Sequence, residues 1–278
     1  MESDSNFLSI PARALTIAGF DPSGIAGVLA DIRTFGDFGL AASAAISSIT
    51  FQNTSRGFGA VDQTGEAVRA QVMPLLEDFT FVCAKTGMLP TREVVREVAR
   101  LFRETALPRP VVDPVIMSSS GQRLMEEAAL DALIEELLPL AQLLTPNVPE
   151  AETLTGTTIT SEADMRRAAA MIRKLGARAV LIKGGHLPGA QASCPPPSAQ
   201  NAGKMPAVPG EAIDVLDNDG EVTVFREQRI AGPGIRGSGC ILSAAIAAGL
   251  GQGMTLEDSV RAAKNFVLEA IREASVGG

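Results

Sequence analysis

The sequence predicts an α/β fold in which a mostly parallel central sheet is covered by helices on both faces. Three observations carry this expectation. β-like and helix-like segments alternate along almost the whole chain, the pattern of strands joined by crossover helices. With 278 residues, 46% hydrophobic and 20% charged, the chain can bury a large core and is neither disordered nor fibrous. Its glycine-rich and polar motifs fall where predicted strands run out, which is where open α/β sheets bind ligands.

Taken in order, the apolar run 14–18 reads as the first strand, 24–38 as its helix and 44–51 as the next strand. Residues 66–76 are helical. The short apolar runs 79–84 and 110–112 read as strands flanking the amphipathic helix 91–104, and a helix around 126–138 leads to a strand at 140–144. Ser161 with Asp164 three residues on is a capping-box-like start, followed by an apolar stripe of Met165, Ala168, Ile172 and Leu175 and a stop at Gly176. Residues 179–183 form another strand. Residues 213–216 and 221–225, joined by Asp217-Asn-Asp-Gly220, alternate as a hairpin, and two helices finish the chain. The stretch 188–210, rich in Pro, Ala, Ser and Gly, reads as a surface loop: an insertion at a loop tip or a flap over a site. One domain over 1–278, with a tail at 1–12, accommodates all of this.

Charge and cysteine usage narrow the class. A formal net charge of -8 argues against a general nucleic-acid or anionic-membrane surface and favours a small-molecule partner. No apolar run reaches the roughly 18 residues of a membrane span. The acidic start Met1-Glu-Ser-Asp-Ser-Asn6 lacks the basic flank of a signal peptide, so a cytoplasmic protein is expected. Cys83, Cys194 and Cys240 are an odd count without metal-type spacing and read as free thiols.

Gly234-Ile-Arg-Gly-Ser-Gly-Cys240, running into the helix-forming 241–248, aims unpaired amides at one point and reads as an anion hole for phosphate. Cys240, at the helix start, is expected to have a lowered pKa and to serve as a base. A glycine-rich loop with a small packing thiol accounts for the same residues equally well. Gly19-Phe-Asp-Pro-Ser-Gly-Ile-Ala-Gly27 does not match G-x-G-x-x-G and suits a substrate turn better than a dinucleotide. Gln52, in Thr50-Phe-Gln-Asn-Thr54, can both donate and accept, as an aminopyrimidine edge requires, or can cap a surface turn with Asn53. Asp113 and Glu150, with Asn147 nearby, end neighbouring strands and suit a nucleotide-bound Mg²⁺, although a helix cap would explain Asn147 alone. Lys183, before two glycines, can reach a phosphate, and His186, the single histidine, is more often structural than catalytic.

Together, Ala18-Gly-Phe-Asp-Pro-Ser-Gly24 with Ala30-Asp31, Gln52-Asn-Thr54, Lys85-Thr-Gly-Met-Leu89, Asp113-Pro-Val115, Thr145-Pro-Asn-Val-Pro-Glu150, Lys183-Gly-Gly-His186 and Gly237-Ser-Gly-Cys240 resemble the hydroxymethylpyrimidine/phosphomethylpyrimidine kinases of thiamine biosynthesis. Those enzymes belong to the ribokinase-like superfamily, and the likeness runs in the family's order from 14 to 271. It implies a ribokinase-like three-layer sandwich with a small edge hairpin and no large lid. It also implies ATP-dependent phosphorylation of 4-amino-5-hydroxymethyl-2-methylpyrimidine and then of its monophosphate. By the same resemblance Gly19, Asp21, Thr50, Gln52, Met88 and Val115 would hold the pyrimidine, and Asp113 and Glu150 the Mg²⁺. Lys183, Asn147 and Lys264 would face ATP, and Gly237, Ser238 and Gly239 with Cys240 would be catalytic. A homodimer is expected.

The family loop commonly reads His-Gly-Thr-Gly-Cys, where this chain has Arg236 and Ser238. Ile25 stands for a usual glycine, Leu29 for a usual glutamine, and 188–210 is longer than the common connection. The rival readings are a pyridoxal-type kinase, a ribokinase-like sugar kinase, which would carry Gly-Ala-Gly-Asp, and a non-catalytic pyrimidine-binding regulator. Asp113, Glu150, Lys183 and Cys240 together argue against the last.

Overall fold

A computed structural model describes residues 11–53, 56–118, 121–185, 210–228 and 236–276. Residues 1–10 of the tail, Thr54, His186, Cys194, the loop 188–210 apart from Gly210, and positions 234–235 of the glycine-rich segment lie outside the described residues. The strands are β1 (Arg13–Phe20), β2 (Ala41–Gln52), β3 (Gly57–Asp62), β4 (Phe81–Thr86), β5 (Val111–Val112), β6 (Leu143–Leu144), β7 (Ala179–Lys183), β8 (Glu211–Asn218) and β9 (Glu221–Gln228). The helices are α1 (Gly27–Asp37), α2 (Gly65–Asp78), α3 (Arg92–Glu104), α4 (Glu127–Ala132), α5 (Val148–Thr155), α6 (Glu162–Lys174), α7 (Ser238–Gly251) and α8 (Leu256–Val276).

The strands form one sheet in the order β3-β2-β1-β4-β5-β6-β7-β8-β9. The run from β2 to β7 is parallel, and β3 at one edge and the β8–β9 hairpin at the other are antiparallel. Leu15 and Ile17 of β1 enter a core shared with α2 to α6, through residues such as Val68, Val98, Ala151 and Met165. Ala14 turns the other way, into a second core of Phe35 from α1, the alanines of α7 and Val260 of α8. A strand whose alternate side chains meet different cores must be covered on both faces, which makes the architecture three-layered.

Local chemistry explains where the elements depart from expectation. The first helix starts at Gly27 rather than 24, because Gly24 and Gly27 hold positive φ and the chain turns through them first. The helix expected over 126–138 keeps α geometry only to Ala132, then passes through a π turn (Leu133–Leu137) and a 3₁₀ turn (Leu138–Leu140). Pro139 lacks the N–H that would continue the ladder. The strand β3 was not expected: Gly57-Phe-Gly-Ala-Val-Asp62 is almost wholly exposed, shows no buried alternation, and is defined by its pairing with Ser48–Gln52. The helix α5 was anticipated only through the helix-cap reading of Asn147, and the Asn147–Glu150 capping box starts it.

Three elements meet at a buried charge. Lys85 of β4 and Asp31 of α1 are both fully buried. The lysine Nζ donates to both carboxylate oxygens, at 3.0 and 2.8 Å, and the Thr16 hydroxyl of β1 donates to Asp31 Oδ2 at 2.6 Å. Burial works against the ammonium, but Asp31, with Cys240 and Asp113 close by, holds its pKa above the ordinary lysine value. Asp31→Leu or Lys85→Met alone strands a buried charge and is expected to lower the urea unfolding free energy by about 3–5 kcal/mol. The double variant is expected to lose less than either single; additive losses would show the two charges to be uncoupled.

Candidate functional site

The loops after the parallel strands converge on a cleft of about 230 Å³. One wall comes from the β1–α1 turn (Gly19, Asp21, Ala26, Gly27), the end of β2 (Thr50, Gln52) and the start of β3. Lys85 and Met88 contribute from β4 and the turn after it, and Asp113, Val115, Asn147, Glu150 and Lys183 from the ends of β5, β6 and β7. Arg236, Gly237, Gly239 and Cys240 close it from the start of α7. A larger groove of about 630 Å³ lies between α2 and α3, but its charged lining includes the ion-paired Arg69, Glu97 and Arg100 and no strand-end motif.

Two glycines lock the cleft's ends together. Gly237, the N-cap of α7, has φ 79°, and a Cβ there would stand 2.2 Å from the Ile25 carbonyl oxygen. Gly27 has φ 61°, and its Cβ would stand 2.1 Å from the Gly19 carbonyl oxygen. Only glycine permits both the conformation and the approach. No side chain caps α7, and its first internal bond runs from the Ile241 amide to the Gly237 carbonyl at 3.0 Å. The amides of residues 238–240 therefore have no partner inside the helix. A Cβ on Gly239 would meet Lys183 Nζ at 3.3 Å and Asp113 Oδ2 at 3.8 Å, so an ammonium and a carboxylate face that first turn. Ser238 opens the helix but lies outside the cleft lining.

Lys183 donates to Asp113 Oδ1 at 3.2 Å, and the Thr145 hydroxyl donates to the same oxygen at 3.4 Å. Burial opposes the Lys183 charge, but Asp113 and Glu150 outweigh it and raise its pKa. Glu150 accepts the Ile116 amide on one oxygen at 3.2 Å and the Asn147 amide on the other at 2.9 Å. Burial raises its pKa, opposed by Lys183 and reinforced by Asp113. Asn147 returns the bond, its Oδ1 accepting the Glu150 amide at 2.9 Å, so its side chain is a helix cap. Among the described residues no group of three His, Cys, Asp or Glu could hold a metal by itself. Two carboxylates beside an anion hole fit a Mg²⁺ that takes its remaining oxygens from water and phosphate, and do not fit a protein-only metal cage.

Cys240 requires a correction. The thiol pKa expected to fall instead rises to about 11: burial pushes it up, Lys85 pulls it down, Asp113 and Asp31 add to the rise, and the Gly27 amide, hydrogen-bonded to the sulfur, opposes it. Burial outweighs the helix end. A preformed thiolate is therefore not a property of this site.

At the other end of the cleft, Met88 Sδ packs 3.2 Å from where a Gly19 Cβ would stand. Val115 is held at φ 38°, a left-handed conformation costly for a β-branched residue. Thr50 donates its hydroxyl to the Phe20 carbonyl at 3.0 Å, tying β2 to β1. Asp21 accepts from Ser23 and from the Ala26 amide, and Gln52 donates to it; these bonds hold its pKa below the ordinary value although burial works to raise it. Gln52 Oε1 in turn accepts from Arg236 at 3.4 Å. Both sides of the Gln52 amide thus already have partners. Lys264 is not on the cleft wall: its ammonium is held by Asp214, whose other oxygen accepts the Gly184 amide at 2.9 Å. The sequence reading gave no role to Lys85, whose partner Asp31 lies 54 residues away, and nothing in a local pattern pairs them.

The sequence pattern of the phosphomethylpyrimidine kinase family matches residues 21–278. A hydroxymethylpyrimidine/phosphomethylpyrimidine kinase from Rhizobium meliloti is 41% identical over 265 residues, 95% of this chain and 91% of the relative. A crystal structure of phosphomethylpyrimidine kinase from Clostridium difficile superposes with a TM-score of 0.77 at 34% identity, covering 94% of this chain and 99% of that one. An ADP complex of Bacillus subtilis pyridoxal kinase superposes with a TM-score of 0.79 at 31% identity, covering 92% and 90%.

The neutral thiol is directly measurable. In a Cys83→Ser, Cys194→Ser background, the rate of Cys240 alkylation by iodoacetamide should climb about tenfold per pH unit from pH 7 and level off only near pH 11. A plateau by pH 8 would restore the lowered pKa.

Proposed function

This chain belongs to the phosphomethylpyrimidine kinase family, and we propose that it transfers the γ-phosphoryl group of ATP first to 4-amino-5-hydroxymethyl-2-methylpyrimidine and then to the resulting monophosphate, the pyrophosphate serving thiamine assembly. The observation that carries this reading is one cleft with an unpartnered helix start, Lys183 and two carboxylates at one end and a two-sided amide at the other. Gly19, Met88 and Val115 form the apolar wall for the ring. Gln52, held by Asp21 and Arg236, keeps one amide hydrogen and one carbonyl lone pair for the ring's edge, with Thr50 also on the lining. The amides of Ser238, Gly239 and Cys240 receive the transferring phosphoryl group, with Lys183 alongside.

Asp113 and Glu150 would hold Mg²⁺, which supplies neutralisation of the ATP phosphates. The chain's own contribution is to hold donor and acceptor in line and to offset equatorial charge with amides and Lys183, where most of the acceleration of phosphoryl transfer lies. The Cys240 thiolate, formed once the thiol has lost its own proton to solvent, takes the hydroxymethyl proton. With its pKa near 11 the thiolate is scarce at neutral pH but strongly basic, so the first transfer should quicken as pH rises.

We further read the chain as one kinase domain working in the cytoplasm as a homodimer. Ile49, Phe51, Phe58 and Val61, 40–59% exposed on β2 and β3, support a self-association face. Sedimentation of Phe58→Asp as a monomer would agree; a wild-type monomer would sink it. Among the described residues no helix is long and apolar enough to cross a membrane.

A coupled ADP-release assay with the hydroxymethylpyrimidine, its monophosphate, pyridoxal and ribose tests the function, and a preference for pyridoxal over both pyrimidines would overturn it. Cys240→Ser is expected to cut kcat on the alcohol by about 10²–10⁴-fold. Cys240→Asp should recover part of the rate and flatten its alkaline rise, since a carboxylate is ionised throughout. Asp113→Asn should raise the Mg²⁺ needed for half-maximal rate, and an unchanged Mg²⁺ titration would free Asp113 of that role.

A further inference from the structure

Among the described residues three cations line the cleft: Lys85, Lys183 and Arg236. Two are already neutralised. Lys85 spends its ammonium on both oxygens of Asp31, and Lys183 donates to Asp113. Among the described residues Arg236 has neutral partners only, its Nη1 donating to the Asn53 carbonyl at 3.0 Å and its Nη2 to Gln52 Oε1 at 3.4 Å. Among the described residues no carboxylate forms an ion pair with it. A guanidinium with five donors in a planar fork, two of them on neutral acceptors, retains both charge and geometry for a bidentate anion.

Its position says which anion. Arg236 immediately precedes the N-cap Gly237 of α7, and its side chain reaches back to the end of β2. It bridges the two ends of the cleft, the ring-binding side at Gln52 and the phosphoryl-binding side at residues 238–240. A group attached to a ring held at Gln52 and directed toward residues 238–240 would come within reach of it. In the first transfer that group is a neutral hydroxymethyl. In the second it is a phosphomonoester of charge about −1.5 to −2 at neutral pH, whose second ionisation lies near pH 6. That charge enters a cleft already carrying the carboxylates of Asp21, Asp113 and Glu150.

We infer that Arg236 receives the phosphate of the monophosphorylated acceptor and sets how well the chain performs the second transfer relative to the first. The inference rests on the pyrimidine reading above. In that second transfer an ionised oxygen of the monoester forms the new bond to the γ-phosphorus while the bond from that phosphorus to the β,γ-bridging oxygen breaks, and ADP leaves with the electron pair. The attacking oxygen has no proton to lose. The second transfer therefore needs a cation to hold its acceptor where the first needs a base to deprotonate it.

The test is steady-state kinetics of the full-length enzyme on both acceptors, with ATP and the acceptor each varied. Arg236→Gln should lower kcat/KM for the monophosphate by about 10–100-fold, the scale of lost charge-assisted hydrogen bonds, and lower it for the alcohol by much less. Arg236→Lys, which keeps a charge but loses the fork, should fall between. Calorimetric titration of the monophosphate without ATP should show the same order. Remaining turnover of the alcohol reports that the variants are folded. Equal losses on both acceptors would overturn the inference, because Arg236 would then act only through Gln52. A raised KM for ATP with either acceptor would overturn it too, assigning the guanidinium to the donor. If the wild-type enzyme phosphorylates neither pyrimidine, the substrate reading fails and this inference with it, an outcome distinct from a variant that discriminates wrongly.

Discussion

The cleft is organised over a charge that the fold has buried and neutralised at once. Lys85 and Asp31 sit on neighbouring layers, with Thr16 completing the carboxylate's bonding, so β4, α1 and β1 are fixed to one another at the level where the site begins. A buried pair of this kind contributes little net stability compared with apolar residues of the same volume, because desolvation of both ions offsets their attraction. What it contributes is register. An ammonium under Cys240 opposes the desolvation of that sulfur, and Asp31 limits how much of its charge is felt there. Gly87 shows how little room surrounds it: a Cβ there would lie 2.9 Å from Lys85 Nζ.

Above that floor, backbone approach does what side chains cannot. Gly27 and Gly237 let the β1–α1 turn and the start of α7 come within reach of each other, which brings the Gly27 amide to the Cys240 sulfur and sets Gly239 and Cys240 on the cleft wall. An anion site at the amides of 238–240 would therefore depend on two loops held together, and not on α7 alone. The alanines of α7 serve the same end from the other side. They let the helix lie flat against the sheet and α8, so its N-terminus is held by a packed core at the edge of the cleft.

Much of this was legible in the sequence, and the division follows range. The alternation of strands and helices, the α6 cap at Ser161, the β8–β9 hairpin and the glycine-rich starts of α1 and α7 are all local signals, and each places a motif at a strand end. β3 was illegible because its side chains are exposed and its two glycines carry no pattern; backbone bonds to β2 define it. The Lys85–Asp31 pair was illegible for the opposite reason, since its partners lie far apart in the chain and only the closed sheet brings them together. The Cys240 pKa shifts the other way from the expected fall because a helix terminus can be read from sequence, whereas the partly buried cleft wall and the carboxylates Asp113 and Asp31 that surround its thiol cannot. Arg236 could be seen as a departure from the family's usual histidine, but its lack of an ion pair among the described residues stands out only once Lys85 and Lys183 are found to have carboxylates of their own.

The high thiol pKa also fits what the cleft must admit. In the proposed reaction a nucleoside triphosphate would bring several negative charges to the start of α7, in the cleft that Asp113 and Glu150 also line. A resident thiolate at Cys240 would meet the incoming γ-phosphate with another negative charge in a site where water screens little. A neutral thiol adds none, so the amides and Lys183 act on the phosphate without competition from within the hole. The same logic bears on the acceptor. An alcohol arrives uncharged and must give up a proton late, as its oxygen bonds to phosphorus, when charge at the phosphoryl group is being spread over oxygens already held by amides. A phosphomonoester arrives fully charged and asks nothing of the thiol, but it needs a cation that the resident carboxylates have left unpaired. One cleft could serve both acceptors because its thiol is mostly protonated, only the thiolate fraction acting as base toward the alcohol, and because among the described residues one guanidinium is paired with no carboxylate.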